Sequence, residues 1–127
     1  MNAPPELAAV VRVVMDRLPA HDRRALGGLR FEYLTAADFA ALGKPWSKGD
    51  AGYGRIRLRY DLVQTLGYKA AASIVAHELA HERLNHAGVL AVADTPERRA
   101  RCEAEADALA ARWLGPWAAD ELARHRR

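Results

Sequence analysis

Apolar residues recur with the period of an amphipathic helix in three parts of the chain. Five of them follow the i, i+3, i+4 spacing within residues 1–20, which predicts an N-terminal packing helix. Residues 67–87 are rich in Ala and Leu and contain no Pro, so they predict a second, longer helix. A third helix is predicted over residues 96–114, because Thr95 is a favourable N-cap before a proline and Gly115 follows the last helical residue.

Two shorter segments alternate between apolar and polar residues, as strands with one buried face do. They are residues 29–35 and residues 55–60, and the arginines of the second segment are interpreted as a solvated sheet face. Between them, residues 43–54 hold four Gly and one Pro and predict a loop or an irregular edge. Asp22 is expected to cap a short turn, and the segment after Pro116 is expected to fray.

The composition, together with the predicted helices and strands, indicates the fold class. A chain of 127 residues with 50% hydrophobic and 28% charged residues is typical of one globular domain and excludes collagen-like, coiled-coil and disordered classes. We therefore expect a single α+β domain over residues 1–127, with a small twisted sheet (residues 29–60) packed on the helices. The only cysteine, Cys102, cannot form an intramolecular disulfide and is interpreted as a small buried apolar residue.

Charge and hydropathy indicate whether a membrane or a nucleic acid is an expected partner. The N-terminal apolar stretch is interrupted by charged residues and follows no cationic segment, so neither a signal peptide nor a membrane span is expected, and cytoplasmic residence is the default. The net charge is only +3, and the arginines are scattered along the chain rather than clustered. Nucleic acid is therefore an unexpected partner, and the pattern specifies no oligomeric state.

The predicted second helix carries the sequence HELAH at residues 77–81. Four residues advance a helix by about 400°, so His77 and His81 leave the same face one turn apart and can bind one metal ion. Glu78 lies about 100° away and is the candidate general base. A shuffled chain of this composition would contain this motif only about 0.01 times, so chance is a weak explanation.

A catalytic zinc ion usually has three protein ligands, so a third ligand is needed. The metzincin pattern would place a histidine six residues after His81, where this chain has Ala87. His86 is one residue short of that place and is interpreted as a residue at the C-terminal end of the helix.

The next helix offers acidic candidates. Glu103 is the preferred third ligand because it is expected on the inward-facing stripe, and Glu105 is its main rival. Asp107, one turn after Glu103, is predicted to accept the second ring N–H of a ligating histidine. Small alanines between these acids would allow the two helices to approach closely.

HELAH on one helix and EAEAD on the next resemble the gluzincin metallopeptidases, in which a second "glutamate helix" supplies the third zinc ligand. The ExxxD pattern from Glu103 to Asp107 is similar to that of HtpX-like peptidases. The stretch HELAHERLNH is similar to ImmA/IrrE-like peptidases and to the zincin half of ArdC-type antirestriction proteins, which are bacterial. The resemblance covers residues 54–115, lacks the additional modules of those larger relatives, and is closest in size to the minigluzincins. It implies a zincin-like domain with the HExxH helix at residues 67–87 and the glutamate helix at residues 96–114.

These residues predict a zinc-dependent metallopeptidase acting on a peptide or protein. Zn²⁺ held by His77, His81 and Glu103 would lower the pKa of a bound water toward about 7, and Glu78 would accept its proton and return it to the leaving amine. The resemblance implies a substrate bound as an added strand along residues 46–60.

Two features stay open in the sequence. The oxyanion stabiliser is one of Tyr53, Tyr60, Tyr68, His86 and His125. The alternative function is a non-hydrolytic, zinc-stabilised regulatory module that binds a protein or nucleic acid, for example in an antirestriction or repressor-control system.

Overall fold

The computed structural model describes residues 3–126, and this range contains eight helices and a three-stranded sheet. The helices are α1 Pro5–Arg17, α2 Ala20–Ala25, α3 Ala36–Ala41, α4 Leu62–Leu66, α5 Tyr68–Arg83, α6 His86–Val92, α7 Pro96–Leu114 and α8 Trp117–Arg124, and the strands are β1 Arg30–Leu34, β2 Gly49–Gly52 and β3 Arg55–Arg59. The predicted α+β class is confirmed. The zincin-like arrangement stays a prediction.

The sheet has the order β1-β3-β2, with β3 parallel to β1 and antiparallel to β2. Strand β2 lies in the segment expected to be an irregular edge, because its sequence GDAG lacks the alternation that marks a strand. Tyr53 and Gly54 connect β2 to β3, both at positive φ, as a tight hairpin turn requires. The backbone N–H of Gly54 donates to a carboxylate oxygen of Glu82 at 2.7 Å, which fastens this hairpin to α5.

The arginines of β3 were expected to form a solvated face, but they are only partly exposed and lie beside acids. Arg57 forms two hydrogen bonds with Asp50 of the neighbouring strand, the first of them 2.7 Å long. Arg59 pairs with Asp61 at 3.0 Å. These acids neutralise the cationic face of the sheet, because each lies beside an arginine that would otherwise be solvated.

Helix α5 is the centre of the molecule. It packs against α1, α4, α7 and α8 on its helical sides and against β2 and β3 on the sheet side. Every residue from Ser73 to Ala80 is buried. The first four residues of HELAH therefore lie in the buried part of α5, where their side chains have little freedom to reorient.

Four local predictions were wrong. The helix predicted over residues 67–87 ends at Arg83, because Asn85 adopts a left-handed conformation (φ 54°) and starts a new helix at His86. His86 therefore begins a helix instead of ending one. Asp22 is inside α2 and does not cap it, and the segment expected to fray forms α8, whose inner face includes the buried Leu122.

Candidate active site

The two histidines of HELAH project from one face of α5 toward a common point. Nε2 of His77 and Nε2 of His81 are 2.9 Å apart. Their rings are nearly perpendicular to each other, with an interplanar angle of 87°. The four-residue spacing on a regular helix therefore brings the two ring nitrogens together as predicted, while their role as ligands stays a prediction.

Glu103 of α7 approaches the same point from the neighbouring helix. Its Oε2 is 3.0 Å from Nε2 of His77, and its Oε1 is 3.1 Å from Nε2 of His81. In a tetrahedral zinc site with bonds of 2.0–2.1 Å, the ligand atoms are about 3.3 Å apart. The observed separations of 2.9–3.1 Å are slightly shorter than this distance, and the chemistry of the groups, two imidazole nitrogens and a carboxylate, suits a zinc ion.

The electrostatics of this cluster favour positive charge between its ligand atoms. Burial alone would lower the pKa of His77, but the contacts with Asp107 and Glu103 outweigh burial and raise this pKa to about 10. The pKa of Glu103 moves in the opposite direction, since the two imidazoles lower it more than burial raises it. A divalent cation at this point would supply the positive charge in place of protons.

Asp107 lies behind His77. Its Oδ1 is 2.8 Å from Nδ1 of His77, on the side of the ring away from Glu103. Arg126 donates a hydrogen bond to Oδ1 of Asp107 at 2.8 Å, and the same guanidinium nitrogen is 2.7 Å from Oδ2. The guanidinium therefore fixes the carboxylate, and the carboxylate faces the ring nitrogen that a metal ion would leave unused.

Glu78 is buried beside the two histidines and faces the cleft. Burial raises the pKa of its carboxyl group above the ordinary value, although the neighbouring His77 and His81 oppose the shift. Strand β2 passes close by: a Cβ on Gly49 would lie 3.3 Å from Cγ of Glu78 and 3.0 Å from the carbonyl oxygen of Arg57. The absence of a side chain at Gly49 thus leaves room for the carboxylate.

A cleft of about 470 Å³ opens over these residues. Its walls are the start of β2 and the loop before it, helices α5 and α6, Glu103 of α7 and the end of α8, and they include Lys44, Trp46, Leu90, Leu122 and His125. Among the oxyanion candidates, His86 and His125 line the cleft. Tyr53, Tyr60 and Tyr68 are exposed and are not among the described residues that line it.

The structure changes the reasoning that selected Glu103. The buried stripe of α7 runs through Cys102, Ala106, Leu109, Ala110 and Trp113. Glu103 does not lie on this stripe but at one edge, with half of its side chain exposed, and Glu105 lies at the opposite edge. Glu103 therefore reaches the histidines of α5, while Glu105 reaches His86 of α6.

Two functional contacts were missed by the sequence analysis. His86 contacts His81 and Glu105, whereas it was considered only as a helix end or an oxyanion candidate. Arg126 contacts Asp107, although its position lies 19 residues away in sequence. The sequence carries one local signal for the first contact, the asparagine before His86, since Asn is favoured in the left-handed conformation that ends α5.

Taken together, the fold and the site define a small α+β protein with a cleft in which two imidazoles and two carboxylates converge. The sequence model of the Peptidase U49 family matches residues 40–127, more than half of the chain, and the chain belongs to this family. The match includes all residues of the site described above. Family membership supports a peptidase function, with peptides or proteins as substrates.

No curated protein and no solved structure matches the chain. Within residues 3–126, no helix is both long and apolar enough to cross a membrane.

Proposed function

We propose that this member of the peptidase U49 family is a zinc-dependent peptidase whose ligands are His77, His81 and Glu103. The observation that carries the proposal is the convergence of two imidazole nitrogens, 2.9 Å apart, with the carboxylate of Glu103, whose two oxygens lie 3.0 and 3.1 Å from them, beside a buried glutamate. Family membership favours this enzyme over the non-hydrolytic zinc-stabilised module.

The zinc ion would supply Lewis acidity, polarising the substrate carbonyl and making water a nucleophile near neutral pH. Glu78 is the general base: it accepts a proton from the attacking water and delivers it to the nitrogen of the leaving amine. Its raised pKa suits this role, because a base that titrates nearer to neutral pH can both accept and return a proton. Asp107 positions His77 through the ring nitrogen that faces away from the metal.

The substrate is proposed to lie along β2. This strand pairs with β3 along one edge, and its start lines the cleft beside Glu78. An extended peptide added to the other edge would form main-chain hydrogen bonds and carry its scissile bond past the site. Of the two oxyanion candidates in the cleft, His86 is already in contact with His81 and Glu105, which favours His125.

The test compares the purified protein after removal of metal with a chelator and after addition of zinc, with an unstructured protein such as casein as substrate. We expect cleavage only in the zinc-loaded protein. Glu78→Gln should retain zinc and lose about 10²- to 10⁴-fold in rate, as expected for loss of a general base. Glu97→Gln removes an exposed acid of α7 outside the site and serves as the control. Full cleavage by the metal-free protein, or unchanged activity in Glu78→Gln, would contradict the proposal.

A further inference from the structure

His81 has a second ring nitrogen that the proposed zinc site does not use. This atom, Nδ1, is 2.8 Å from Nδ1 of His86. The other ring nitrogen of His86, Nε2, is 2.9 Å from a carboxylate oxygen of Glu105. His86 is almost completely buried, with 4% of its surface exposed. A continuous row of polar contacts therefore leads from Glu105 through His86 to His81.

The positions of the protons in this row follow from its acidic end. An ionised carboxylate only accepts hydrogen bonds, so Nε2 of His86 must carry a proton and donate a hydrogen bond to Glu105. In a neutral His86, Nδ1 is then a bare acceptor. The contact between the two Nδ1 atoms requires a proton, and this proton must come from His81. His81 is left with an unprotonated Nε2, which points at His77 and Glu103.

We propose that Glu105, acting through His86, holds the proton of His81 on Nδ1 and thereby presents Nε2 of His81 to the metal. This inference rests on the proposed zinc site. His86 and Glu105 are positioning residues, since neither contacts the proposed metal position or a reacting atom. Glu105, considered above as a rival ligand to Glu103, has this second task instead.

The arrangement parallels that of the other histidine. Asp107 faces Nδ1 of His77 directly, whereas Glu105 acts on His81 through one intervening imidazole. Three acids of α7 thus serve one centre, and their places on the helix explain how. Glu103 lies at one edge of the buried stripe and Glu105 at the other, so that α7 reaches both ends of the histidine row on α5 and α6.

The turn between α5 and α6 makes the intermediate histidine available. Helix α5 ends at Arg83, and the left-handed conformation of Asn85, two residues later, turns the chain so that His86 contacts His81. Five residues along an uninterrupted helix would have turned His86 by about 500°, away from the face of His81. The break in the helix is therefore a requirement of the contact.

Two separate measurements test the inference: one locates the protons on the histidine rings, and the other gives the metal affinity. In protein labelled with ¹⁵N-histidine, long-range ¹H–¹⁵N spectra distinguish the two neutral forms of each imidazole. In the zinc-loaded protein we expect the proton of His81 on Nδ1 and that of His86 on Nε2. Glu105→Gln should leave His86 as a mixture of both forms. A His86 with its proton on Nδ1 in the unmutated protein would overturn the inference.

Zinc competition against a chelating dye gives the second readout. Loss of an outer partner of a ligating histidine typically weakens metal binding 10- to 100-fold. Since half of the Glu105 side chain is exposed, we expect Glu105→Gln and Glu105→Ala to raise the zinc Kd by about 10-fold, and Glu97→Gln to leave it unchanged. An unchanged Kd in both Glu105 variants would overturn the inference.

Two further outcomes are separable. If the unmutated protein binds no zinc, the proposed function fails, and the histidine spectra of the metal-free protein still report whether Glu105 fixes the proton of His86. If two zinc ions bind per chain and Cys102→Ser loses one of them, then His86, Cys102 and Glu105, which lie close enough to share a cation, are ligands of a second site. That result would overturn the positioning role.

Discussion

Helices α5 and α7 hold buried charged groups at two places, and the two places differ in how the charge is balanced. Near the end of α5, Asp22 accepts hydrogen bonds from Arg83 at 2.8 Å and from the indole N–H of Trp113 at 3.1 Å. Each carboxylate oxygen has a donor from the protein itself. This cluster joins α2, α5 and α7 and needs nothing further.

The second place, around His77, His81 and Glu103, is built from acceptors. If Asp107 and Glu105 hold the ring protons on the outer nitrogens, then the inner nitrogens of the two histidines, 2.9 Å apart, and the Glu103 oxygens, 3.0 and 3.1 Å from them, all present lone pairs to one another. Such a group is unfavourable without a cation or additional protons. The comparison shows that the cluster around Asp22 supplies its own donors, whereas the proposed zinc site would take its balancing charge from a bound cation.

The largest effect should come from replacing Glu103, the acid that contacts both His77 and His81. Glu103→Gln replaces the charged ligand with a neutral amide, so the zinc Kd should rise by more than the 10- to 100-fold typical of losing an outer partner. The stability of the metal-free protein should change by at most about 1 kcal/mol, because half of the side chain is exposed. Competition titrations and thermal unfolding in chelator measure the two effects. Zinc binding equal to that of the unmutated protein would remove Glu103 from the ligand set.

The opposite pattern, a large loss of stability with unchanged zinc affinity, is expected for the cluster around Asp22. Asp22→Ala leaves the indole N–H of the buried Trp113 without its acceptor and the Arg83 guanidinium without its partner. Loss of a buried hydrogen-bonded acid of this kind should lower the free energy of unfolding by about 2–4 kcal/mol. Urea unfolding of metal-free protein measures this loss, and the zinc Kd should be unchanged. If Asp22→Ala weakens zinc binding as much as Glu103→Gln does, the two places are not independent.

The sequence predicted the parts of this architecture that depend on local signals. The spacing of His77 and His81 fixes their common face on any regular helix, and the capping hydroxyl of Thr95 starts α7 where it was expected, with its oxygen accepting from the N–H of Arg98. These features need only neighbours within four residues. Their functional role rests on the proposals above.

The missed parts depend on contacts between distant segments. Strand β2 has almost no apolar residues and forms because it pairs with β3 and packs against α5. Helix α8 is stabilised by packing on α5 and α7. The carboxylate of Asp22 accepts hydrogen bonds from Arg83 and Trp113, which are 61 and 91 residues away in sequence. No window of sequence contains such pairs, so tertiary packing decides them.

A smaller effect is expected where the sheet edge meets the proposed base. Gly49→Ala places a Cβ at 3.0 Å from a backbone oxygen and 3.3 Å from Glu78, so the strand or the carboxylate must shift. We expect a loss of stability of roughly 1 kcal/mol and a lower peptidase rate with unchanged zinc affinity. Gly52→Ala is the matched control on the same strand, since its Cβ would meet Ala87, away from Glu78. Equal rates for the two variants would show that Gly49 has no special relation to the base.

The smallest effect is the pH dependence of the stability that Asp22 contributes. The pKa of Asp22 is lowered in the folded protein: burial opposes the shift, but the hydrogen bonds from Trp113 and Arg83 outweigh burial. A lowered pKa contributes stability that is fully present above the unfolded-state value of about 3.9, declines below it, and is lost once the pH falls through the folded-state pKa. The difference in unfolding free energy between the unmutated protein and Asp22→Asn should therefore be constant from pH 7 to 5 and shrink on further acidification. Urea titrations of metal-free protein at stepped pH measure it, and a difference that grows on acidification would mean that the carboxylate is not stabilised in its charged form at this place.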